Sequence, residues 1–346
     1  MNFFPNQIQI NGRITEVERL FQETLIDKAD WEKEWLEFLA EWYSPSESIK
    51  VKTSGSTGKP KTINLKKDFV AASALRTIHY FQLNKYDRVL HCLPSRYIAG
   101  KLMIVRGLLG RLDLHLVDPS TDFEVLRTHK FKFAAMVPNQ VQKIMNGKIR
   151  NLESLLIGGS AVPRPLEEQL QRVETKCYSS YSMTETATHI ALRKINSDGA
   201  DGFYHCLDGI HVGLSPAGCL QVFMQGLKEY PLQTTDLAEL SDVKTFKIKG
   251  RSDHIIISGG MKFSPEQIER KLERHIPFPF MIASQEHETL GEQVVLVVEA
   301  AESLDSVTQL FAICQQQLDR YEVPKKISFV DEIPQTPTGK VDRNRL

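Results

Sequence analysis

Apolar residues first recur with the period of a helix. Trp31, Trp35, Phe38, Leu39 and Trp42 stand at i, i+4, i+7, i+8 and i+11, which makes one stripe of an amphipathic helix. The whole segment 14–42 reads as helical. An aromatic stripe of this kind is core far more often than ligand site. From Arg88 onward the pattern changes. Short apolar runs at 89–93, 112–117, 131–137 and 152–157 alternate with helical stretches, and each run ends in Pro, Gly, Ser or Asp. Such alternation predicts an α/β domain whose loops at strand ends carry the site.

Over 202–240 glycines become frequent and the apolar runs shorten, as in 219–224. That texture predicts antiparallel strands and turns. After Gly250 comes a closing region. Ser264 reads as a helix N-cap, Pro265 as the first helical residue and Gln267 as the partner in a capping box. A buried strand at 294–298, a helix at 304–318 and a strand at 327–330 follow. The expected fold class is α/β: a large domain at 1–252 with an added antiparallel β portion, then a small mobile α+β domain at 253–346. No internal repeat is visible.

Composition narrows the partners. The 346 residues suffice for more than one domain. Lys+Arg and Asp+Glu both number 43, so no bulk field favours nucleic acid or an anionic membrane. The five cysteines form no C-x-x-C pair, which argues against a zinc site or a disulfide framework and fits a reducing cytoplasm. The start Met-Asn-Phe-Phe-Pro does not read as a signal peptide, and no apolar run approaches a membrane span. The expectation is a cytoplasmic protein with small-molecule partners, without nucleic acid or membrane insertion, and with a homo-oligomer left open.

The densest chemistry lies in Thr53, Ser54, Gly55, Ser56, Thr57, Gly58, Lys59, Pro60 and Lys61. Glycines let the backbone approach an anion and expose its N–H groups, hydroxyls add donors, and lysines add charge. Only two residues separate Gly55 from Gly58, and Pro60 follows Lys59, so this is not the Walker loop. The bland alternative is a solvated turn. Further on stand Gly158-Gly159-Ser160-Ala161, Tyr181-Ser182-Met183-Thr184-Glu185-Thr186, Thr234-Thr235-Asp236, Gly250-Arg251-Ser252-Asp253 and 334–340 with Gly339-Lys340. Each alone could be an ordinary helix start, cap or exposed turn.

Together and in this order, from about Val51 to Leu346, they resemble the adenylate-forming superfamily of acyl- and aryl-CoA synthetases, adenylation domains and luciferases. Within it, Tyr181 to Arg193 and the compact N-terminus resemble short-form o-succinylbenzoate–CoA ligases. The resemblance implies ATP, Mg²⁺ and coenzyme A, with a small carboxylic acid as substrate. It implies that Thr53, Ser54, Gly55, Ser56, Thr57, Gly58 and Lys61 hold the β- and γ-phosphates. Gly159, Ser160 and Ala161 would lie along adenine. Thr184 would contact the α-phosphate and Glu185 would ligate the metal. Asp236 and Arg251 would hold the ribose, Asp253 would be the interdomain hinge, and Lys340 would serve the adenylation step.

Three positions depart from the family pattern. Ser182 stands where glycine is usual, Thr235 replaces the glycine of Thr-Gly-Asp, and Tyr97 stands where histidine is frequent, on the path to the acyl pocket. o-Succinylbenzoate carries a second carboxylate that needs a cation or donor. Arg193 is the first candidate, with Arg96, Lys101 and His189 as others, and a surface salt bridge is the plain alternative for each. The same chemistry on another acid, transfer to a carrier thiol, and a non-catalytic nucleotide-binding relative are the rival readings.

Overall fold

The chain opens with a hairpin. β1 (Gln7–Ile10) and β2 (Arg13–Glu16) are antiparallel and joined by Asn11-Gly12, at φ 50° and 81°. Both values are positive, as a two-residue type I′ turn requires. Residues 14–16 are therefore strand, not the helix their periodicity suggested, and α1 (Val17–Phe21) begins only after them. The aromatic stripe lies on α2 (Asp30–Tyr43). Trp35, Phe38, Leu39 and Trp42 are buried, which confirms the stripe as core. The computed structural model of the protein describes residues 4–23, 25–52, 62–196, 199–335 and 341–343.

The chain divides into two compact units. The first holds residues 1–162, 166–210 and 224–228. In it β3 (Ser48–Lys52) and β4 (Thr62–Lys66) pair as a separate hairpin, followed by α3 (Lys67–Tyr80). The expected alternation then appears as β5 (Arg88–His91), α4 (Ile98–Gly110), β6 (Asp113–Leu116), α5 (Val125–Thr128), β7 (Phe131–Met136), α6 (Pro138–Ile144), β8 (Leu152–Ile157), α7 (Arg164–Leu170) and β9 (Lys176–Ser182). The spatial order is β9-β8-β7-β5-β6-β1, and every pair in it is parallel. Beyond β9 lie β10 (His189–Lys194) and β11 (Tyr204–Cys206), both antiparallel to their neighbours.

Parallel strands are covered on both faces, and all but one position of β5, of β7 and of β8 is buried. On one face Leu90, Ala134, Leu155 and Cys177 meet Leu126, Val141, Ile144 and Leu170 from the short helices. α4 is itself nearly all buried, including Leu102, Met103, Ile104, Val105 and Leu108.

The second unit holds 163–165, 211–223 and 229–346. Residues 211–223 and 229–252, expected in the larger domain, cluster here. β12 (Ile210–Leu214), β13 (Cys219–Met224), β14 (Leu232–Asp242) and β15 (Thr245–Arg251) lie side by side in that order. Then come β16 (Ile256–Ser258), β17 (Met261–Phe263), α8 (Pro265–Leu272), β18 (Phe280–His287), β19 (Gly291–Glu299), α9 (Leu304–Gln317) and β20 (Lys326–Val330). Ile268, Leu272, Leu310 and Cys314 from the helices pack on Ile256, Val294 and Leu296 of this sheet. Pro265 opens α8 as expected, but Ser264 makes no capping bond. Its hydroxyl is 3.0 Å from Glu266 Oε2 and 3.3 Å from the Lys249 carbonyl, so the box with Gln267 does not form.

Gly100, in the first turn of α4, sits against the loop that precedes it. A Cβ there would meet the Pro94 carbonyl oxygen at 2.3 Å. Backbone cannot retreat as a flexible side chain can, so Gly100→Ala is expected to cost about 1–3 kcal/mol of unfolding free energy. A urea titration with an unchanged midpoint would show that the loop yields freely.

Candidate active site

β6 lies on one side of β5 and β7 on the other. The crossovers through α4 and α5 therefore reverse direction at β5, and the crevice outside the carboxyl ends of strands at such a point is where ligands bind. Three sequence-marked segments sit on that edge of the first unit, the stretch before Tyr97 after β5, Gly158 to Ala161 after β8, and Met183 to Thr186 after β9, and Val137 after β7 joins them. Gly158 N–H donates to the Met136 carbonyl at 3.0 Å. A Cβ on Gly158 would lie 2.6 Å from Ser180 Oγ, and one on Gly159, at φ +87°, would lie 3.0 Å from Val137 Cγ1. The two glycines thus lay bare backbone across the ends of β7, β8 and β9. Ser160 beside them is half-buried and Ala161 is exposed.

After β9 the chain folds into a tight turn. Ala187, at φ 63°, donates its N–H to the Thr184 carbonyl at 3.0 Å. The buried Thr186 hydroxyl lies 3.0 Å from the Met183 carbonyl and 2.7 Å from that of Thr188. This internal bonding leaves Thr184 half-buried and Glu185 exposed at the tip. Residues Thr53, Ser54, Gly55, Ser56, Thr57, Gly58, Lys61 and Lys340 lie outside the described residues.

The cations considered for a second carboxylate are engaged elsewhere. Arg193 makes two bonds to Glu167, 2.6 and 3.0 Å. Burial alone would lower its guanidinium pKa, but the paired carboxylate overrides this and raises it. Arg96 pairs with Glu34 at 2.5 Å and lies over the Tyr97 ring at 5.1 Å. Tyr97 itself precedes α4 as its N-cap. Lys101 Nζ is 2.7 Å from Glu41 and 2.9 Å from the Lys50 carbonyl. His189 is buried with Nε2 at 3.3 Å from Thr77 Oγ1. That hydroxyl also lies 3.3 Å from the Ser73 carbonyl. Burial first, and the charge of Arg106 second, keep it neutral far below the usual imidazole range.

Arg106 was not among the sequence candidates. It sits in α4 with 2% of its surface exposed. It makes no ion pair among the described residues. Its Nε meets no acceptor, and Nη1 reaches only Met103 Sδ at 3.3 Å. Burial pulls it down to about 9, so it stays charged at neutral pH. A buried charge without a counter-charge among the described residues is costly. The sequence signal was one arginine inside Leu102-Met103-Ile104-Val105-Arg106-Gly107-Leu108-Leu109, a run that otherwise reads as pure core.

In the second unit, Asp236 on β14 faces Arg251 on β15 in register, with Nη1 at 3.5 Å from Oδ1. Arg251 also grips Asp253 through Nε at 2.9 Å and Nη2 at 2.6 Å. Burial pushes the Asp253 carboxyl up, yet Arg251 outweighs it and holds the group below the usual range. The residues assigned to ribose and hinge thus form one acid–guanidinium–acid chain.

The model of the AMP-binding enzyme family matches residues 20–206, more than half of the chain. The protein belongs to the AMP-binding enzyme family. The adenylate-forming reading of its motifs therefore holds. The chain is 25% identical over 335 residues to the 2-succinylbenzoate–CoA ligase of Listeria monocytogenes, covering 90% of this chain and 72% of that one. A counterpart from Bacillus mycoides is 26% identical over 346 residues, covering 89% and 72%. Among solved structures, an acyl-CoA synthetase (AMP-forming)/AMP-acid ligase II-like protein from Dyadobacter fermentans is 31% identical with a TM-score of 0.63, covering 96% of this chain and 97% of that one. The o-succinylbenzoate CoA synthetase of Bacillus subtilis, in complex with its acyl-adenylate intermediate, shares the fold with a TM-score of 0.73 at 22% identity, covering 86% and 68%. No helix among the described residues of this family member is long and apolar enough to cross a membrane.

If the Arg106 charge is held for a ligand rather than for the core, removing it should help the empty protein. Arg106→Met is expected to stabilise the ligand-free fold by roughly 1–4 kcal/mol, the range seen when buried ionic groups give way to apolar ones. A lower melting temperature for this variant would show that the guanidinium supports the core instead.

Proposed function

We propose that the chain is an AMP-forming acid–CoA ligase that activates o-succinylbenzoate. The buried, unpaired guanidinium of Arg106 carries the choice of acid. A simple fatty acid or benzoate has nothing to give it, whereas the aryl carboxylate of o-succinylbenzoate supplies the missing charge. The 2-succinylbenzoate–CoA ligases among its relatives support the same reading and would place the enzyme in menaquinone biosynthesis.

In the first step an oxygen of the succinyl carboxylate attacks the α-phosphorus of ATP, and the bond to diphosphate breaks. The acid is ionised at neutral pH and needs no base. The difficulty is repulsion between two anions, so preorganised positive charge does most of the catalysis. Lys340 supplies it between the acyl oxygen and the α-phosphate. Thr184 bonds the α-phosphate, and the loop at 53–61 positions the leaving diphosphate. Gly159, Ser160 and Ala161 bed the adenine, while Asp236 and Arg251 take the ribose. Glu185 is a hard oxygen donor exposed at a turn. One such carboxylate suits Mg²⁺, which keeps several waters and binds chiefly through substrate phosphates. That ion would offset phosphate charge. In the second step the CoA thiol attacks the acyl carbonyl and AMP leaves. Residues 253–346 turn about Asp253 between the steps, which lets one site serve both.

Pyrophosphate exchange over a panel of acids tests the reading. Exchange is expected with o-succinylbenzoate and not with benzoate or a long-chain acid. Arg106→Gln should raise KM for o-succinylbenzoate about 100-fold, as loss of one partner of a buried charge pair does, and leave KM for ATP nearly unchanged. Exchange with another acid alone would replace the substrate, and exchange with none would leave a nucleotide-binding relative.

Lys340→Ala separates the half-reactions. It is expected to lose adenylate formation by about 10²–10³ or more, in line with removal of one transition-state donor, while supplied acyl-adenylate still becomes thioester. Equal loss in both steps would refute the alternation.

A further inference from the structure

The second unit holds the chain on both sides of residues 336–340. Upstream, Ile333 is buried with Met281, Val295 and Val297, and its N–H donates to Glu299 Oε2 at 2.9 Å. Gln335 and Val341 then form an isolated antiparallel bridge. The Asp342 N–H donates to the Pro334 carbonyl at 2.8 Å. Lys340 is covalently joined to Val341. Neighbouring Cα atoms stay about 3.8 Å apart, so whatever holds Val341 limits where the lysine can go.

The downstream side needs an anchor other than apolar packing, because Val341 is exposed. Arg343 supplies it. Nη2 donates to Glu269 Oε2 at 2.7 Å, and Nη1 donates to the Ile282 carbonyl at 2.5 Å. Glu269 Oε1 in turn accepts from the Ile282 N–H at 2.7 Å. Guanidinium, carboxylate and peptide thus close a ring that joins the end of the chain to α8 and β18. β18 pairs with β19 and with no other strand among the described residues. At Ile282 two side chains bond its backbone as a further strand would.

This is not an ordinary surface pair. Exposed pairs contribute little, but here only 16% of the Arg343 side chain and 17% of the Glu269 side chain are exposed. Burial pushes the Glu269 carboxyl up, and Arg343 is the first charge that opposes the shift. Glu266, nearly one turn earlier on α8, lies 3.9 Å from Arg343 Nε. A planar fork can hold a carboxylate and a carbonyl at once, which an ammonium cannot do with fixed geometry. The anchor therefore fixes direction as well as position. A cation that acts in a transition state needs both, since a misplacement of about 1 Å can cost about 100-fold in rate.

We propose that Arg343 is a positioning residue for Lys340. Held on α8 and β18 through Glu269 and Ile282, it steadies the downstream side of the bridge and so sets how the lysine is presented. It meets no reacting atom and acts only through Lys340. The role of the lysine rests on the ligase reading above; the identity of the acid does not enter.

The test joins the two half-reactions to a readout that needs no turnover, all in the full chain. The acid is o-succinylbenzoate or whichever acid supports exchange in its place. Arg343→Ala is expected to lower kcat for pyrophosphate exchange about 10–100-fold and to leave KM for ATP within about twofold. Thioester formation from supplied acyl-adenylate should stay within about threefold. Arg343→Lys, which keeps a charge beside Glu269 but loses the fork, should recover part of the loss. Lys340→Ala/Arg343→Ala should be no slower in exchange than Lys340→Ala alone, because one residue acts through the other. Amide hydrogen exchange at Asp342 should quicken in Arg343→Ala. Unchanged protection at Asp342 overturns the anchor. Equal loss in both half-reactions, or losses that multiply in the double variant, overturns the positioning role. If Lys340→Ala loses pyrophosphate exchange and Arg343→Ala does not, the positioning role falls and the ligase reading stands. If Lys340→Ala exchanges at the wild-type rate, or the wild-type protein exchanges with no acid, the reading of the lysine fails and takes the positioning role with it.

Discussion

Parallel pairing of β5 to β9 is the constraint on which the rest depends. A tight turn cannot join parallel strands, so the chain must cross back through a helix each time. Every strand-to-helix loop then falls on one edge of the sheet. Segments far apart in sequence, from the Leu93 loop to the Thr184 turn, reach a common edge for that reason alone. The cost is that both faces of the sheet must be covered, which is why α4 is apolar almost throughout. Against that background one arginine in α4 has physical meaning.

The distribution of charge pairs divides structure from chemistry. Arg193 and Glu167, Lys101 and Glu41, and Arg251 and Asp253 each close locally. Such pairs fix geometry but leave little field for a ligand. Arg106 is the exception among the cations considered, and neutral His189 adds no charge of its own. An enzyme that must bring an anion to a triphosphate cannot neutralise its cations internally. Unpaired positive charge is therefore the feature to look for, and among the described residues it is found on α4.

The strand runs were legible because buried strands are mostly apolar, and β8, which is parallel to its neighbours, and β13, which is antiparallel to β14, match their runs residue for residue. The glycine pair after β8 and the turn after β9 were legible because backbone geometry there admits few residue types. Residues 14–16 misled because Ile14 continues a helical spacing. The contrary signal was Asn11-Gly12, whose turn demands strands on both sides. Ser264 misled because a capping box is a local pattern, while Glu266 and the Lys249 carbonyl compete for the same hydroxyl. Arg193 drew notice by standing near a motif. Its actual partner, Glu167, lies 26 positions earlier on another element, and pairing across that distance leaves no mark in sequence.

Arg106 shows the opposite failure. Its helix counted only as one of the helical stretches between apolar runs, so the single charged residue inside it drew no notice. The informative quantity was the mismatch between a residue and its surroundings. A guanidinium with 2% exposure and no carboxylate partner among the described residues carries a desolvation cost that the described fold does not repay. The phosphate-binding motifs say which reaction the family runs. The choice of acid proposed above rests instead on the unpaid charge on α4, and that information lies in what the described fold leaves unpaired.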